Sequence, residues 1–257
     1  MKKAIFFDID GTLVSFKTHQ VSPKTFETLK QLKENGNLLF IATGRGKDGL
    51  KVLEQFPFDG YITLNGQYCY LGNGEVIYEN FIPKDELRIL LEYLKDHPFP
   101  CGFTMENTKV FNYRDERVDE VHAITQNDDH PAGDVSNVVN EKIYQAMSFI
   151  NEEEEKELMK NLKHCTSARW YPTFCDISPI GGTKVKGIDR FCDYFNIPLE
   201  DTIAFGDGGN DREMLEHVHT AVVMGSASDD LKEIGTYVTD DVDHEGIASA
   251  CVRLGLI

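Results

Sequence analysis

The stretch "KKAIFFDIDGTL" sets two carboxylates, Asp8 and Asp10, at the end of one of the most apolar runs of the chain. Residues two apart in a strand point to the same side. The two acids therefore aim alike if the strand continues through them, and converge if it turns, which Gly11 permits. Two carboxylates at one spot repel unless they share a proton or a cation. A hard divalent cation with oxygen ligands, Mg²⁺, meets that need. Further along, "FIATGR" ends in Thr43, Gly44 and Arg45, and "IAFGDGGND" carries Asp207, Asn210 and Asp211. Lys184 opens the helical segment that precedes the second of these. A hydroxyl, a lysine and a set of acids are the parts of a phosphoryl-transfer site. The carboxylates hold Mg²⁺, Lys184 offers a point charge to phosphate oxygens, and Thr43 with nearby backbone N–H groups donates hydrogen bonds. One carboxylate is left to attack phosphorus.

These residues need a frame that brings them together. Ala4–Phe7 reads as a buried strand. Ser22-Pro23 reads as an N-cap with Pro at the first helical position. Phe26, Leu29 and Leu32 recur at helical spacing, and Asn35-Gly36 ends that helix. "NLLFIAT" is a second strand, "GRGKDGLKVLEQF" a second helix weakened by glycine, and "DGYITLNG" holds a third strand. Strand and helix alternate, as in a parallel, doubly wound sheet. In such sheets ligands bind outside the carboxyl ends of the strands, where the acids sit.

The grammar then changes. "QYCYLGNGEVIYEN" reads as a hairpin, "KDELRILLEYLKDH" as a helix, and "CGFTM" and "KVFNY" as strands close enough to pair antiparallel. "KIYQAMSFI" is another strand, "NEEEEKELMKNL" a helix with acids at its positive end, and "ARWYP" and "FCDIS" two short strands. "QNDDHPAGDVSN" is polar and turn-rich and reads as a mobile loop. After "PIGGTK" the alternation returns: a helix over about 185–195, strand "TIAFG", helix "GGNDREMLEHV", strand "TAVVMG", then a short strand and a last helix. The expectation is α/β: a Rossmann-like, doubly wound core formed by residues 1–83 and 183–257, interrupted by an α+β domain at 84–182.

The 257 residues suffice for one large domain or two smaller ones, and 41% hydrophobic with 27% charged residues is ordinary for a globular protein. A net charge of −17 repels polyanions, so nucleic acid and anionic membranes are poor partners. Cys69, Cys101, Cys165, Cys175, Cys192 and Cys251 form no CxxC pair and read as reduced thiols of a cytoplasmic protein. Met-Lys-Lys before apolar residues imitates a signal peptide, but Asp8 and Asp10 interrupt the run too early for a secretory core. No segment is long enough to span a bilayer. The histidines show no ligand spacing; His217 and His219 are expected at a helix end.

"DIDGT", "ATGR", the Lys of "TKVKGI" and "GDGGND" resemble the four motifs of the haloacid dehalogenase (HAD) superfamily of phosphohydrolases, in order and along nearly the whole chain. The insert, with "LNGQ" before it, is similar to the Cof-type subfamily, whose αβ cap is of the C2B kind. The resemblance implies Asp8 as the nucleophile that forms an aspartyl-phosphate. It implies Asp10 as the acid that protonates the leaving alcohol and then activates water, its backbone carbonyl also binding Mg²⁺. Thr43 and Lys184 would hold the transferring phosphoryl group, with Gly44 and Arg45 beside it. Asp207 would be the third metal ligand, Asn210 would reach the phosphate or a metal-bound water, and Asp211 would orient Lys184 or the metal shell. Lys184 is preferred to Lys186 because it opens the element and fits the family spacing to Asp207.

The expected function is a Mg²⁺-dependent phosphatase of small phosphorylated metabolites, sugar phosphates first, acting as a monomer or weak homo-oligomer. Pyridoxal-phosphate or flavin-mononucleotide phosphatase, sugar phosphomutase, and a non-enzymatic phosphate-binding regulator are the alternatives. The insert is expected to close over the cleft and choose the substrate, hinged near Pro83 and Gly181-Gly182. Tyr113, Arg114, Arg169 and Tyr171 are its candidate substrate contacts, whereas Trp170 is expected to pack the insert.

Overall fold

A computed structural model describes residues 2–125 and 131–257, so the first five residues of the expected mobile loop, 126–130, lie outside the described residues. The chain begins with β1 (Ala4–Phe7), α1 (Pro23–Glu34), β2 (Leu38–Ala42), β3 (Gly60–Thr63), β4 (Tyr68–Leu71) and β5 (Val76–Glu79). The insert adds α2 (Lys84–Asp96), β6 (Cys101–Thr104), β7 (Lys109–Phe111), α3 (Glu116–Thr125), β8 (Gln145–Ser148), α4 (Glu152–Met159), β9 (Cys165–Tyr171) and β10 (Phe174–Pro179). The return supplies α5 (Lys184–Phe195), β11 (Thr202–Gly206), α6 (Arg212–His217), β12 (Thr220–Val223), α7 (Asp229–Lys232), β13 (Tyr237–Val238) and α8 (Gly246–Arg253).

Two compact units result. One comprises residues 1–45, 50–79 and 183–257; the other comprises 46–49 and 80–182. In the first, eight strands run in the order β13-β12-β11-β1-β2-β3-β4-β5. Strands β13 to β3 are parallel, and β4 and β5 add an antiparallel edge. The central strands are buried on both faces, which is why they read as unbroken apolar runs. Phe6, Phe40 and Phe191 fill one side, with Phe6 and Phe40 stacked at 4.9 Å; Phe7 stacks on Phe205 on the other. Helix α1 starts as its sequence dictates: the Ser22 hydroxyl accepts from the Thr25 N–H at 3.0 Å, and Pro23 follows.

The second unit holds a five-stranded antiparallel sheet in the order β7-β6-β8-β10-β9. Cross-strand partners share a face. One face, with Cys101, Phe103, Ala146, Cys175 and Ile177, packs against Leu87 and Leu90 of α2 and Leu158 of α4. On the other, Phe111, Met147, Phe149 and Phe174 pack with Val118 and Val121 of α3. Helix α4 opens with a capping box: Asn151 accepts from the Glu154 N–H, and Glu154 accepts from the Asn151 N–H.

Some elements differ from expectation. The segment expected as a second helix is only a run of 3₁₀ turns, Lys47–Leu53, because Gly46 and Gly49 deny it a helical start. Its first residues, 46–49, cluster with the insert, where Lys47 pairs with Glu106 and Asp48 with Lys109, each at 3.0 Å. "GGNDREMLEHV" is divided into a 3₁₀ turn, Gly209–Asp211, and α6. Helix α3 carries only two apolar anchors in its first two turns and was not expected. All six cysteines are free and buried, and burial pushes the Cys69, Cys101, Cys165 and Cys251 thiols up to about 12. Among the described residues no helix is long and apolar enough to cross a membrane.

Candidate active site

Strand β1 lies between β2, reached by one crossover, and β11, which belongs to the return segment. The strand order therefore reverses at its carboxyl end, the place where open α/β sheets bind ligands. Asp8 is the first residue past that end, its N–H bonded to the Phe205 carbonyl at 3.0 Å. The chain then leaves the strand. Gly11 adopts φ +81°, its N–H meets the Val14 carbonyl at 2.9 Å, and the Val14 N–H meets the Ile9 carbonyl at 2.8 Å.

This turn separates the two acids. Asp8 goes to a cluster with the half-buried Asp207 and the buried Asp211, in which carboxylate oxygens lie within 4.8 Å of one another. The Asp10 carboxylate instead takes two bonds from the Arg45 guanidinium, at 2.8 and 2.6 Å. The Asp10 carboxylate is thus not one of the three that form the cluster. The pleat ends at Asp8, so the rule that residues two apart share a side no longer applies at Asp10.

Lys184 reaches the cluster from the first turn of α5. Its Nζ donates to Asp8 Oδ1 at 2.7 Å and to Asp211 Oδ1 at 2.5 Å. The helix is pinned by Thr183, whose hydroxyl accepts from the Lys186 N–H at 3.2 Å; Lys186 itself forms no part of the cluster. Asp211 Oδ2 accepts from the N–H groups of Asp207 and Gly208, at 3.1 and 2.9 Å. Both oxygens of Asp211 are therefore engaged in holding neighbours. Asp207 Oδ1 accepts from the Thr12 hydroxyl at 2.9 Å. Its Oδ2 lies over Gly11, where a Cβ would stand 2.1 Å away.

Thr43 is buried beyond β2, and its hydroxyl accepts from the Arg45 N–H at 3.1 Å. Gly44 lies against the Asn65 side chain, and Asn210 donates to Asn65 Oδ1 at 3.3 Å. Asn65 and Thr12 went unnoticed in the sequence. Two consecutive left-handed residues, Leu64 and Asn65, followed by Gly66, form the turn that carries Asn65 there. The only available signals were the "LNG" triplet and the Thr of "DGT".

Two buried carboxylates share one ammonium beside the half-buried Asp207, and the imbalance shows in their proton affinities. Burial, then the charge of Asp211, raises the Asp8 carboxyl well above its ordinary range, against the pull of Lys184. Asp207 is pushed up to about 6, chiefly by burial. Burial opposes the Lys184 charge, but Asp211 and Asp8 outweigh it and raise its pKa, so the ammonium stays charged. Arg45 is likewise raised, its burial outweighed by the bonds and charge of Asp10. The donor set is hard oxygen and carries excess negative charge, and among the described residues Asp8 and Asp207 are not saturated by donors. These residues fit a divalent cation such as Mg²⁺.

The insert's candidate contacts are placed differently from one another. Arg169 is not a free contact: it bonds Glu155 at 2.6 Å and the carbonyls of Ile150 and Pro172 at 2.9 Å, clamping the hairpin. Tyr171 donates to Glu120 at 2.8 Å, Arg114 pairs with Asp119 at 2.8 Å, and Tyr113 faces Arg117. Trp170 packs on Phe174 as expected, with ring centroids 5.0 Å apart, yet stays 50% exposed. In the first unit, His217 bonds Asp189 at 2.7 Å.

Residues 5–251 match the family model of the haloacid dehalogenase-like hydrolases. YkrA of Bacillus subtilis is 35% identical over 260 residues, covering 99% of this chain and 98% of its own. The HAD subclass IIB sugar phosphatase BT4131 is 40% identical with a TM-score of 0.88, both chains being covered in full. The HAD phosphatase BT1666 of Bacteroides thetaiotaomicron is 32% identical with a TM-score of 0.92, over 100% of this chain and 96% of its own. The chain belongs to the haloacid dehalogenase-like hydrolase family, with the mixed α/β core and inserted domain of its phosphatases.

Proposed function

We propose that the chain is a Mg²⁺-dependent phosphatase of small phosphomonoesters, sugar phosphates above all, working through an aspartyl-phosphate on Asp8. The observation that carries this reading is the buried array of Asp8, Lys184 and Asp211 beside Asp207 at the carboxyl end of β1. Full-length similarity to a sugar phosphatase supports the substrate class.

In the first step an Asp8 oxygen bonds to phosphorus while the ester P–O bond breaks, and Asp10 gives its proton to the departing alkoxide. In the second, Asp10 takes a proton from water, whose oxygen bonds to phosphorus. The acyl-phosphate bond then breaks, freeing inorganic phosphate and Asp8. One residue serves as acid and then base, so each step meets a smaller barrier than direct hydrolysis. Lys184 and Thr43 hold the phosphoryl oxygens, Asn210, Gly44 and Arg45 flank them, and the Arg45 fork fixes the plane of the Asp10 carboxylate. Asp211 keeps Lys184 aimed at Asp8. Asp8 and Asp207, with the Asp10 carbonyl, would hold Mg²⁺, which supplies positive charge against the repulsion between carboxylate and phosphate. Choice of substrate is assigned to the insert.

The test is a panel of phosphate esters assayed with Mg²⁺ on the wild type and on Asp8→Asn. Expected are inorganic phosphate from the wild type and a loss on the order of 10⁴-fold or more in the variant. An isomeric sugar phosphate as product would make the protein a mutase. No turnover across the panel would leave a phosphate-binding regulator.

A further inference from the structure

Two segments far apart in sequence are clasped together beside the carboxylate cluster. The first follows Asp10 as a compact turn: the Leu13 N–H meets the Ile9 carbonyl at 2.9 Å, and the His19 N–H meets the Ser15 carbonyl at 2.8 Å. Ser15 is the node of this turn and only 5% exposed. Its hydroxyl accepts from the N–H groups of Lys17 and Thr18, at 3.0 and 3.3 Å. The same hydroxyl donates to Asp243 Oδ1 at 2.6 Å, across 228 positions. The other oxygen of Asp243 pairs with Lys17 at 2.7 Å. A further bond ties the two segments at their far end, where the Ser22 hydroxyl donates to Glu245 Oε2 at 2.8 Å.

The segment that supplies both carboxylates is held in an unfavourable shape. Glu245 takes φ +60°, in the left-handed region that residues with a side chain rarely adopt. The Thr239 hydroxyl fixes this turn by donating to the Gly246 carbonyl at 2.6 Å. Such strain persists where the surrounding contacts over-determine it. Here it presents Asp243 and Glu245 to residues 15–22. What the clasp reaches is then set by the turn. Three residues before Ser15, the fully buried Thr12 donates to Asp207 Oδ1 at 2.9 Å. One residue after Ser15, the Phe16 ring shares with Asp207 Oδ2 the space where a Gly11 Cβ would stand. Residues 11–16 therefore fix where Asp207 lies, and Ser15 is their outer support. Asp243 is not one of the three carboxylates of the cluster.

We propose that Asp243 is a positioning residue for the metal site: through Ser15 it holds the turn 11–16, and with it Thr12 and Asp207, in the arrangement that binds Mg²⁺. The inference rests on the reading of Asp207 as a metal ligand in the proposed function. Groups that orient a ligand from behind change metal affinity by about 10–100-fold when removed. Asp243 holds the chain that carries such a group and not the ligand itself, so the lower end of that range applies. Lys17 contributes little, because its side chain is 76% exposed and a surface ion pair is weak. All of these residues belong to the first unit.

The test reads metal binding and not turnover. Mg²⁺ alone is titrated into the full chain by calorimetry, and Tm is measured without the ion. Asp243→Ala is expected to raise the dissociation constant about tenfold. Ser15→Ala reads the same bond through a smaller change and should do likewise. The double variant should lose no more than either, because both act through one contact. Asp243→Asn keeps an acceptor for the Ser15 hydroxyl and should retain most of the affinity. Glu245→Ala is the control: it removes the Ser22 bond of the same clasp, so Tm should fall while Mg²⁺ affinity holds. An equal loss of affinity in Glu245→Ala would mean general loosening and overturn the proposal. Wild-type affinity in both Asp243→Ala and Ser15→Ala would overturn it too, and would leave the proposed function standing. A wild type that is an active phosphatase yet binds no Mg²⁺ would sink the metal reading and this inference with it.

Discussion

The Lys184 ammonium lies 2.7 Å from Asp8 Oδ1, across 176 positions of sequence. The same ammonium holds Asp211 Oδ1 at 2.5 Å. A single buried cation thus fixes two buried carboxylates, one at the end of β1 and one at the start of α6. Such a contact is costly to interrupt, because whichever partner remains keeps its charge without water.

Lys184→Met is accordingly expected to lower unfolding free energy by about 3–5 kcal/mol, the cost of leaving a buried charge unpaired. Urea denaturation measures it. A midpoint equal to the wild type would mean that the carboxylates are compensated some other way.

Asp10→Asn removes the proton that the leaving alcohol needs but not the nucleophile. Turnover should fall by roughly 10²–10⁴-fold, the usual worth of a general acid–base. The loss should shrink with a substrate such as p-nitrophenyl phosphate, whose leaving group departs unprotonated. Equal losses for alkyl and nitrophenyl esters would remove Asp10 from the acid role.

Two glycines with nearly the same backbone angle give an internal control. Gly11 has φ +81° and its missing Cβ would stand 2.1 Å from Asp207 Oδ2; Gly36 has φ +84° and nothing within 4 Å. Alanine at either position costs about 1–2 kcal/mol of left-handed strain. Only Gly11→Ala should also displace Asp207 and abolish the response to Mg²⁺. Full activity in that variant would mean that Asp207 tolerates displacement.

Chelation should remove activity, and added Mg²⁺ should restore it. The ion should also stabilise the fold, by about 2.7 kcal/mol at one hundred times its dissociation constant. Differential scanning calorimetry with and without Mg²⁺ tests this independently of turnover. Undiminished hydrolysis after exhaustive chelation would refute the metal requirement.

Asp176 sets a pH dependence outside the carboxylate cluster. Burial raises its pKa to about 7, against the Trp170 N–H and the charge of Lys109, whose partner is Asp48. Between its unfolded value and about 7 the folded state binds more protons than the unfolded one. This contribution to stability is therefore full below the unfolded value and is lost as pH rises through the folded value. Asp176→Asn, which cannot ionise, should gain in Tm over the wild type as pH goes from 5 to 8. A constant Tm difference across that range would mean that Asp176 titrates normally.

How much was legible from residues alone differs from element to element. Asp8, Lys184 and Asp207 stood out because each follows or opens an element whose periodicity is unmistakable. Asp10 stood out equally, yet its partner did not. Nothing in "DIDGT" tells that the strand stops one residue before the second acid's pair rule would hold. The 3₁₀ run at Lys47–Leu53 and helix α3 were misjudged or missed because glycines and sparse apolar anchors make local propensity weak there. Trp170 was read as packing the insert, and its ring does pack on Phe174, while half of it stays exposed.

The sequence by itself stated the alternation of strand and helix in the core and the four segments that carry the acids, the hydroxyl and the lysine, though not helix α3 or the 3₁₀ run. Period, capping and turn chemistry are local, and a chain states them openly. Only the tertiary structure decided which charge meets which. Lys184 joins Asp8 and Asp211, Arg45 joins Asp10, Thr12 joins Asp207, and Asp176 lies beside Lys109 and Trp170. Those pairings depend on distances between elements far apart in sequence, which are fixed only when the sheets close and buried charges seek their partners.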